Sequence, residues 1–344
     1  MASLNEKLIQ SVYDGLVLHR PQLKSLVDLD EDDDADGEVD IRLLADLIIR
    51  SYPWPIGVEL RRLFSAQLAE PDRMRLEQLF KTLERTLQFL AFVQASQLLT
   101  TSGTRKLVVS ADLGAEFIKR WSTISLGNLT WSIERMQGLM DANGLVPFMD
   151  EAKQELSPEF FTNCSFWIPE RNAIGHYEIH LSDEQIQIKC VELQERLMAI
   201  LRSLAFLAKY KLVSVRSIQV EKTRRGEAHF NHQLNILNSS NSDFKAQDVD
   251  TNLFTESRSV LLLRTTKRMN EYLNMSPFVI DTGIERIDTK EKTAIKKDIF
   301  LYARLANDTL HYSGTEATDK YDLRALSVYS QMMVDLKAFL QIFS

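Results

Sequence analysis

One stretch of the chain brings together residue types that could do chemistry: Pro169-Glu170-Arg171-Asn172-Ala173-Ile174-Gly175-His176-Tyr177. Arg171 and His176 lie five residues apart, and held around one turn they can converge on a common point. Arginine offers a permanent planar fork of donors that matches a phosphate and stabilises charge building on its oxygens. Histidine titrates near neutrality and can take a proton from an attacking hydroxyl or give one to a leaving group. Asn172 adds an amide that both donates and accepts, suited to fixing the arginine or the helix ends around it. The chemistry this trio suggests is phosphodiester cleavage. The competing reading is local, with the same Arg and His capping helix ends and binding nearby carboxylates.

Other motifs fail on spacing. Asp32-Asp33-Asp34-Ala35-Asp36-Gly37 opens like a calcium-binding loop, but the twelfth position, which needs a bidentate Glu, is Leu43. A solvated acidic loop is expected there instead. Phosphate-loop, dinucleotide, zincin and nucleophile-elbow patterns are all missing from the sequence. His229 and His232, three apart in a predicted strand, face opposite sides and cannot share a metal, and His311 stands alone. No metal and no cofactor is expected.

The elements that must position the trio are helical. Apolar residues recur at i, i+3, i+4 spacing in residues 1–27, from Val39 to Ser51, from Gly57 to Leu68 and, longest, from Asp72 to Leu99. Further helices are predicted over Gly127–Asp141, Met149–Phe160 and Ser182 to about Tyr210, with an irregular aromatic segment from Phe160 to Trp167. Thr101–Lys106 is expected to be a polar connection. After Lys211 the period shifts toward 2. Strands are predicted at Leu212–Val220, His229–Leu237, Ser259–Arg264 and Phe278–Asp281. A hairpin turning at Asn307-Asp308 follows, and then a closing helix over Tyr321–Phe343.

A length of 344 residues allows roughly two domains. The expected fold class is α+β, an N-terminal all-α bundle followed by a β-rich C-terminal domain closed by a helix. The segments are 1–38 (helix and acidic loop), 39–210 (helical domain) and 211–344 (β-rich, of no nameable type). With 44% hydrophobic and 26% charged residues, wholesale disorder is excluded. Nine of the thirteen residues from Asp28 to Asp40 are acidic, and without them the net charge of −7 becomes +2. The body is therefore close to neutral, and overall acidity does not exclude a phosphate-bearing partner. Cys164 and Cys190 alone cannot build a disulfide framework, which points to a reducing, cytoplasmic compartment. No signal peptide and no membrane-spanning run is expected.

Arg171-Asn172 and His176, placed where one core helix hands over to the last long one, resemble the R-x4-6-H motif of the HEPN superfamily, including the polar residue directly after the arginine. The resemblance covers the helical part from about Leu76 to Tyr210. It implies a metal-independent endoribonuclease of toxin–antitoxin, abortive-infection or other antiviral systems, usually a homodimer with two motifs facing one cleft. The RNA 2′-hydroxyl attacks the adjacent phosphate and leaves a cyclic 2′,3′-phosphate and a 5′-hydroxyl. Arg171 would stabilise the phosphate, His176 would move the proton and Asn172 would support them. Tyr177 follows His176 directly, where one branch of the family has His-x-Tyr, so control by tyrosine modification is not implied. The alternative is a non-catalytic HEPN-like dimerisation protein of a defence system.

Lys209, Lys211, Arg216, Lys222, Arg224 and Arg225, against Glu221, give a net +5 over seventeen residues. They are candidates for contacts to the RNA backbone, or else the solvent side of a strand whose edge they protect. The expected partners are an RNA substrate, a second copy of the chain, and an antitoxin or another defence component.

Overall fold

A computed structural model describes residues 3–31, 40–176, 181–267, 269–285, 295–316 and 320–344. Its helices are α1 (Leu4–His19), α2 (Gln22–Glu31), α3 (Ile41–Ser51), α4 (Trp54–Leu63), α5 (Arg73–Ser102), α6 (Ala111–Trp121), α7 (Leu126–Ala142), the one-turn α8 (Ala152–Glu155), α9 (Pro158–His176), α10 (Asp183–Ser203) and α11 (Tyr329–Gln341). Its strands are β1 (Lys211–Glu221), β2 (His229–Ile236), β3 (Lys245–Thr251), β4 (Val260–Leu263), β5 (Tyr272–Asn274), β6 (Val279–Asp281), β7 (Ile299–Ala306), β8 (Thr309–Gly314) and β9 (Lys320–Asp322). The chain is mixed α+β with a C-terminal helix. Among the described residues no helix is long and apolar enough to cross a membrane.

Two compact units interleave along the sequence. One gathers the described residues of Met1–Leu87, Glu151–Tyr210 and Asn238–Asn241; the other gathers those of Gln88–Asp150, Lys211–Leu237 and Ser242–Ser344. The cuts expected after 38 and 210 are therefore too simple. In this grouping the far half of α5 together with α6 and α7 falls with the strands.

The first unit is all helix. Ser3 and Ser182 start α1 and α10 with reciprocal capping boxes, the serine hydroxyl accepting from the backbone of Glu6 or Gln185 while that side chain accepts from the serine N–H. Pro55 does not delay α4 to Gly57, because a proline in the first helical turn gives up an N–H that has no partner there. The buried Arg75 guanidinium donates to Asn5 Oδ1 (2.8 Å), to the Leu68 carbonyl and to Gln194 Oε1, and Gln194 in turn donates to the Leu4 carbonyl. That network ties α1, α5 and α10 together.

The aromatic segment expected to be irregular is helical instead. Phe160, Cys164 and Trp167 recur at i, i+4, i+7 and are fully buried, with Trp167 meeting Phe80 of α5 edge-on at 5.3 Å. From α10, Arg196 donates to Asn163 (2.9 Å) and covers the Phe166 ring. Packing on two neighbours outweighs the hydrogen bond that Pro169 removes from the ladder. Likewise α2 runs through the first residues of the acidic run to Glu31, and 32–39, including the calcium-like opening, lies outside the described residues.

The second unit carries two antiparallel sheets, ordered β3-β2-β1-β4-β5 and β6-β7-β8-β9. A bulge between Val215 and Ser217 sets Arg216 apart from the β1–β2 pairing. Asn307 and Asp308, both at positive φ, make the tight β7–β8 turn. Phe92 of α5, Phe117 and Trp121 of α6, Phe278 just before β6 and Phe339 of α11 build an aromatic core. The closing helix starts at Tyr329 rather than Tyr321, because Lys320–Asp322 pairs as β9.

Candidate functional site

The stripe that buries Phe160, Cys164 and Trp167 continues at i+4 to Arg171, which emerges where α9 clears the core and is exposed. There it lines a groove of about 460 Å³ with Arg73, Glu77, Phe80, Lys81, Glu84 and Arg85 of α5. Among the described residues nothing hydrogen-bonds to or ion-pairs with Arg171. Its neighbour Glu170 is occupied by Lys189 of α10. Asn172 is exposed, and His176 is the last residue of α9; the side chains of 174–176 lie outside the described residues.

Beneath the groove lies Glu59 of α4, a carboxylate with no exposure at all. Its Oε2 accepts from Gln78 (2.9 Å) and its Oε1 from Arg62 (2.8 Å), while Lys81 Nζ and Arg85 Nε both stand 3.9 Å from Oε1. One buried negative charge thus holds three cations whose outer parts face solvent. Burial lowers the pKa of Lys81, with repulsion from Arg62 and Arg85 acting the same way against the pull of Glu59 and Glu84. A second depression of about 560 Å³ adjoins the first, sharing Glu77 and Lys81 and adding Arg61, Arg62 and Met74.

No family model, curated protein or solved structure matches the chain.

The basic residues singled out in the sequence are distributed over the end of the helical unit, β1 and the β1–β2 turn. Lys209 belongs to the helical unit and bonds Glu151 (2.7 Å), whose other oxygen accepts from Tyr210 (2.8 Å). Burial works to raise the Glu151 pKa, but these hydrogen bonds hold it below the ordinary range. Lys211 opens β1 half-buried, Arg216 sits at the bulge, and Lys222, Arg224 and Arg225 are exposed in the β1–β2 turn. At 3.3 Å per residue, Lys211 and Lys222 are about 36 Å apart along the strand. His232 is buried with a lowered pKa, chiefly from burial, whereas its strand neighbour His229 is exposed. Among the described residues no three His, Cys, Asp or Glu come together in a way that could hold a metal.

Sequence reasoning passed over Arg62, Arg73, Lys81 and Arg85. The available signal was the spacing Arg73-x3-Glu77-x3-Lys81-x3-Arg85, which sets four charges along one face of α5 beside its apolar stripe. Such a face reads as ordinary solvated helix until Glu59 and Arg171 are placed around it.

Proposed function

We propose that the chain is a metal-independent endoribonuclease of the HEPN type, cleaving RNA by 2′-hydroxyl attack as a homodimer in antiviral defence or toxin-like growth arrest. The observation carrying this reading is the state of Arg171: exposed, unclaimed by any carboxylate among the described residues, and opening onto a groove rich in cations.

In the proposed reaction a bond forms between the 2′ oxygen and phosphorus, and the bond from phosphorus to the 5′ oxygen breaks. His176 handles the proton that leaves the 2′-hydroxyl and the proton that the 5′ oxygen gains. Arg171 meets the charge that builds on the non-bridging oxygens, and Asn172 supports the turn around them. On one continuous helix, positions five apart stand about 140° from each other around the axis, with a rise of about 7.5 Å. A twofold arrangement relieves this by setting the arginine of one copy against the histidine of the other. A cytoplasmic setting and an antitoxin or defence partner belong to the same reading.

The test is cleavage of a single-stranded RNA in EDTA by the wild type and by His176→Ala. The expected result is full wild-type activity with chelator present and a loss of at least about 100-fold in the variant. Undiminished activity in the variant, or activity abolished by EDTA, overturns the proposal.

A further inference from the structure

Cations outnumber acids in the lining of the two adjoining depressions, where Arg73 is ion-paired with Glu77 (3.1 Å). Arg61, Arg62, Arg73, Lys81, Arg85 and Arg171 line them, against Glu77, Glu84 and the buried Glu59 beneath, an excess of three positive charges. This excess sits on an acidic chain of net charge −7. The buried carboxylate explains how like charges are kept close. Without it Arg62, Lys81 and Arg85 would repel one another, and with it they are fixed around a single oxygen.

Geometry gives the array a direction. Arg73, Lys81 and Arg85 stand at i, i+8 and i+12 on α5, so they share one face and span about 18 Å. That length matches about five stacked nucleotides at roughly 3.4 Å per phosphate along one strand. Each depression is of small-molecule size, about 560 and 460 Å³. Met74, which is exposed, supplies apolar surface beside the cations, on which an unpaired base can rest.

We infer that this furrow on α5, and not the β1–β2 turn, binds the phosphate backbone of the single-stranded RNA, with Arg62, Arg73, Lys81 and Arg85 contacting phosphates spaced along the strand and leading it to Arg171. The inference rests on the nuclease reading for the identity of the strand. Because the contacts are to phosphate, affinity depends steeply on salt and little on base sequence. Glu77 and Glu84 act as brakes on affinity, competing with phosphate for the same cations.

The experiment measures binding of a fluorescein-labelled twelve-nucleotide RNA to the full chain by anisotropy over a salt series, in EDTA and in a His176→Ala background. Lys81→Gln combined with Arg85→Gln is expected to weaken binding at least tenfold at low salt. The slope of log affinity against log salt should become shallower by about 1.4, since each single-strand phosphate contact contributes about 0.7. Removing two counter-charges of Glu59 could also disturb folding, so a second variant carries the test independently. Glu77→Gln combined with Glu84→Gln, at positions not fully buried, is expected to tighten binding about threefold, which a purely structural role would not produce. The inference is overturned if the acid-removing variant leaves affinity unchanged. It is equally overturned if Lys222→Gln, Arg224→Gln and Arg225→Gln together account for the salt slope. The nuclease reading fails separately: a groove that binds RNA as expected, with cleavage undiminished by His176→Ala, keeps the furrow and discards the assigned chemistry.

Discussion

Replacing Arg171 by lysine keeps the charge and removes the fork. If the guanidinium binds two oxygens of the reacting phosphate, Arg171→Lys should lower kcat by at least about tenfold while RNA affinity changes less than threefold. Equal loss in both would reduce Arg171 to one more backbone contact. A second expectation concerns the β-bearing unit. Burial pushes the Glu285 carboxyl up to about 7, Arg258 pulling it back and Asp281 adding repulsion. Between its ordinary value of 4.5 and about 7, the unfolded chain releases this proton while the folded chain keeps it. Stability from this group therefore falls as pH rises through that window. Glu285→Gln should flatten the fall, so that its melting temperature gains on the wild type between pH 5 and pH 8; parallel curves would refute this. At this scale the motif itself was legible, because arginine and histidine announce their chemistry by type. Glu59 was not, since nothing in its neighbourhood sequence says that it is buried beneath charges contributed by α5.

Elements were legible where a segment's periodicity alone decided them and were missed where a neighbour did. The long stripe of α5 and the alternation of β1 and β2 could be read directly. β3, with its mostly exposed Lys245–Thr251, has no apolar face to declare it and exists by pairing with β2. α9 was hidden by Pro169 and by a crowd of aromatics, and only its partners α5 and α10 reveal which face they fill. α6, in a segment for which no helix was expected, carries Gly114, a weak helix position. Glycine is required there, because a methyl group added to Gly114 would overlap the backbone carbonyl of Phe343. Gly114→Ala should destabilise the protein by about 1–3 kcal/mol. Gly138 in α7 has open space around it, and Gly138→Ala should instead stabilise by about 0.5–1 kcal/mol. Thermal melting of the two variants checks both, and shifts of the same sign would contradict this account of α6.

For the whole molecule, the expectation of helices first and strands second captured the composition of each half but not the division of the chain. The two units exchange segments, and only three-dimensional packing says that α6 and α7 belong with the sheets. The proposed homodimer has a direct consequence at this scale. If each site takes Arg171 from one copy and His176 from the other, mixing Arg171→Ala with His176→Ala should restore about a quarter of wild-type activity after random exchange of subunits. A site built within one chain would restore none.

The central claim is that the RNA itself supplies the nucleophile. The most direct measurement treats an RNA oligonucleotide and the same oligonucleotide with 2′-deoxy sugars at the cleaved positions, both in EDTA, and identifies the product ends by mass. The account predicts a 2′,3′-cyclic phosphate and a 5′-hydroxyl from the first and no cut at the substituted positions of the second. A 3′-hydroxyl with a 5′-phosphate, or equal cleavage of the deoxy-substituted strand, would contradict it.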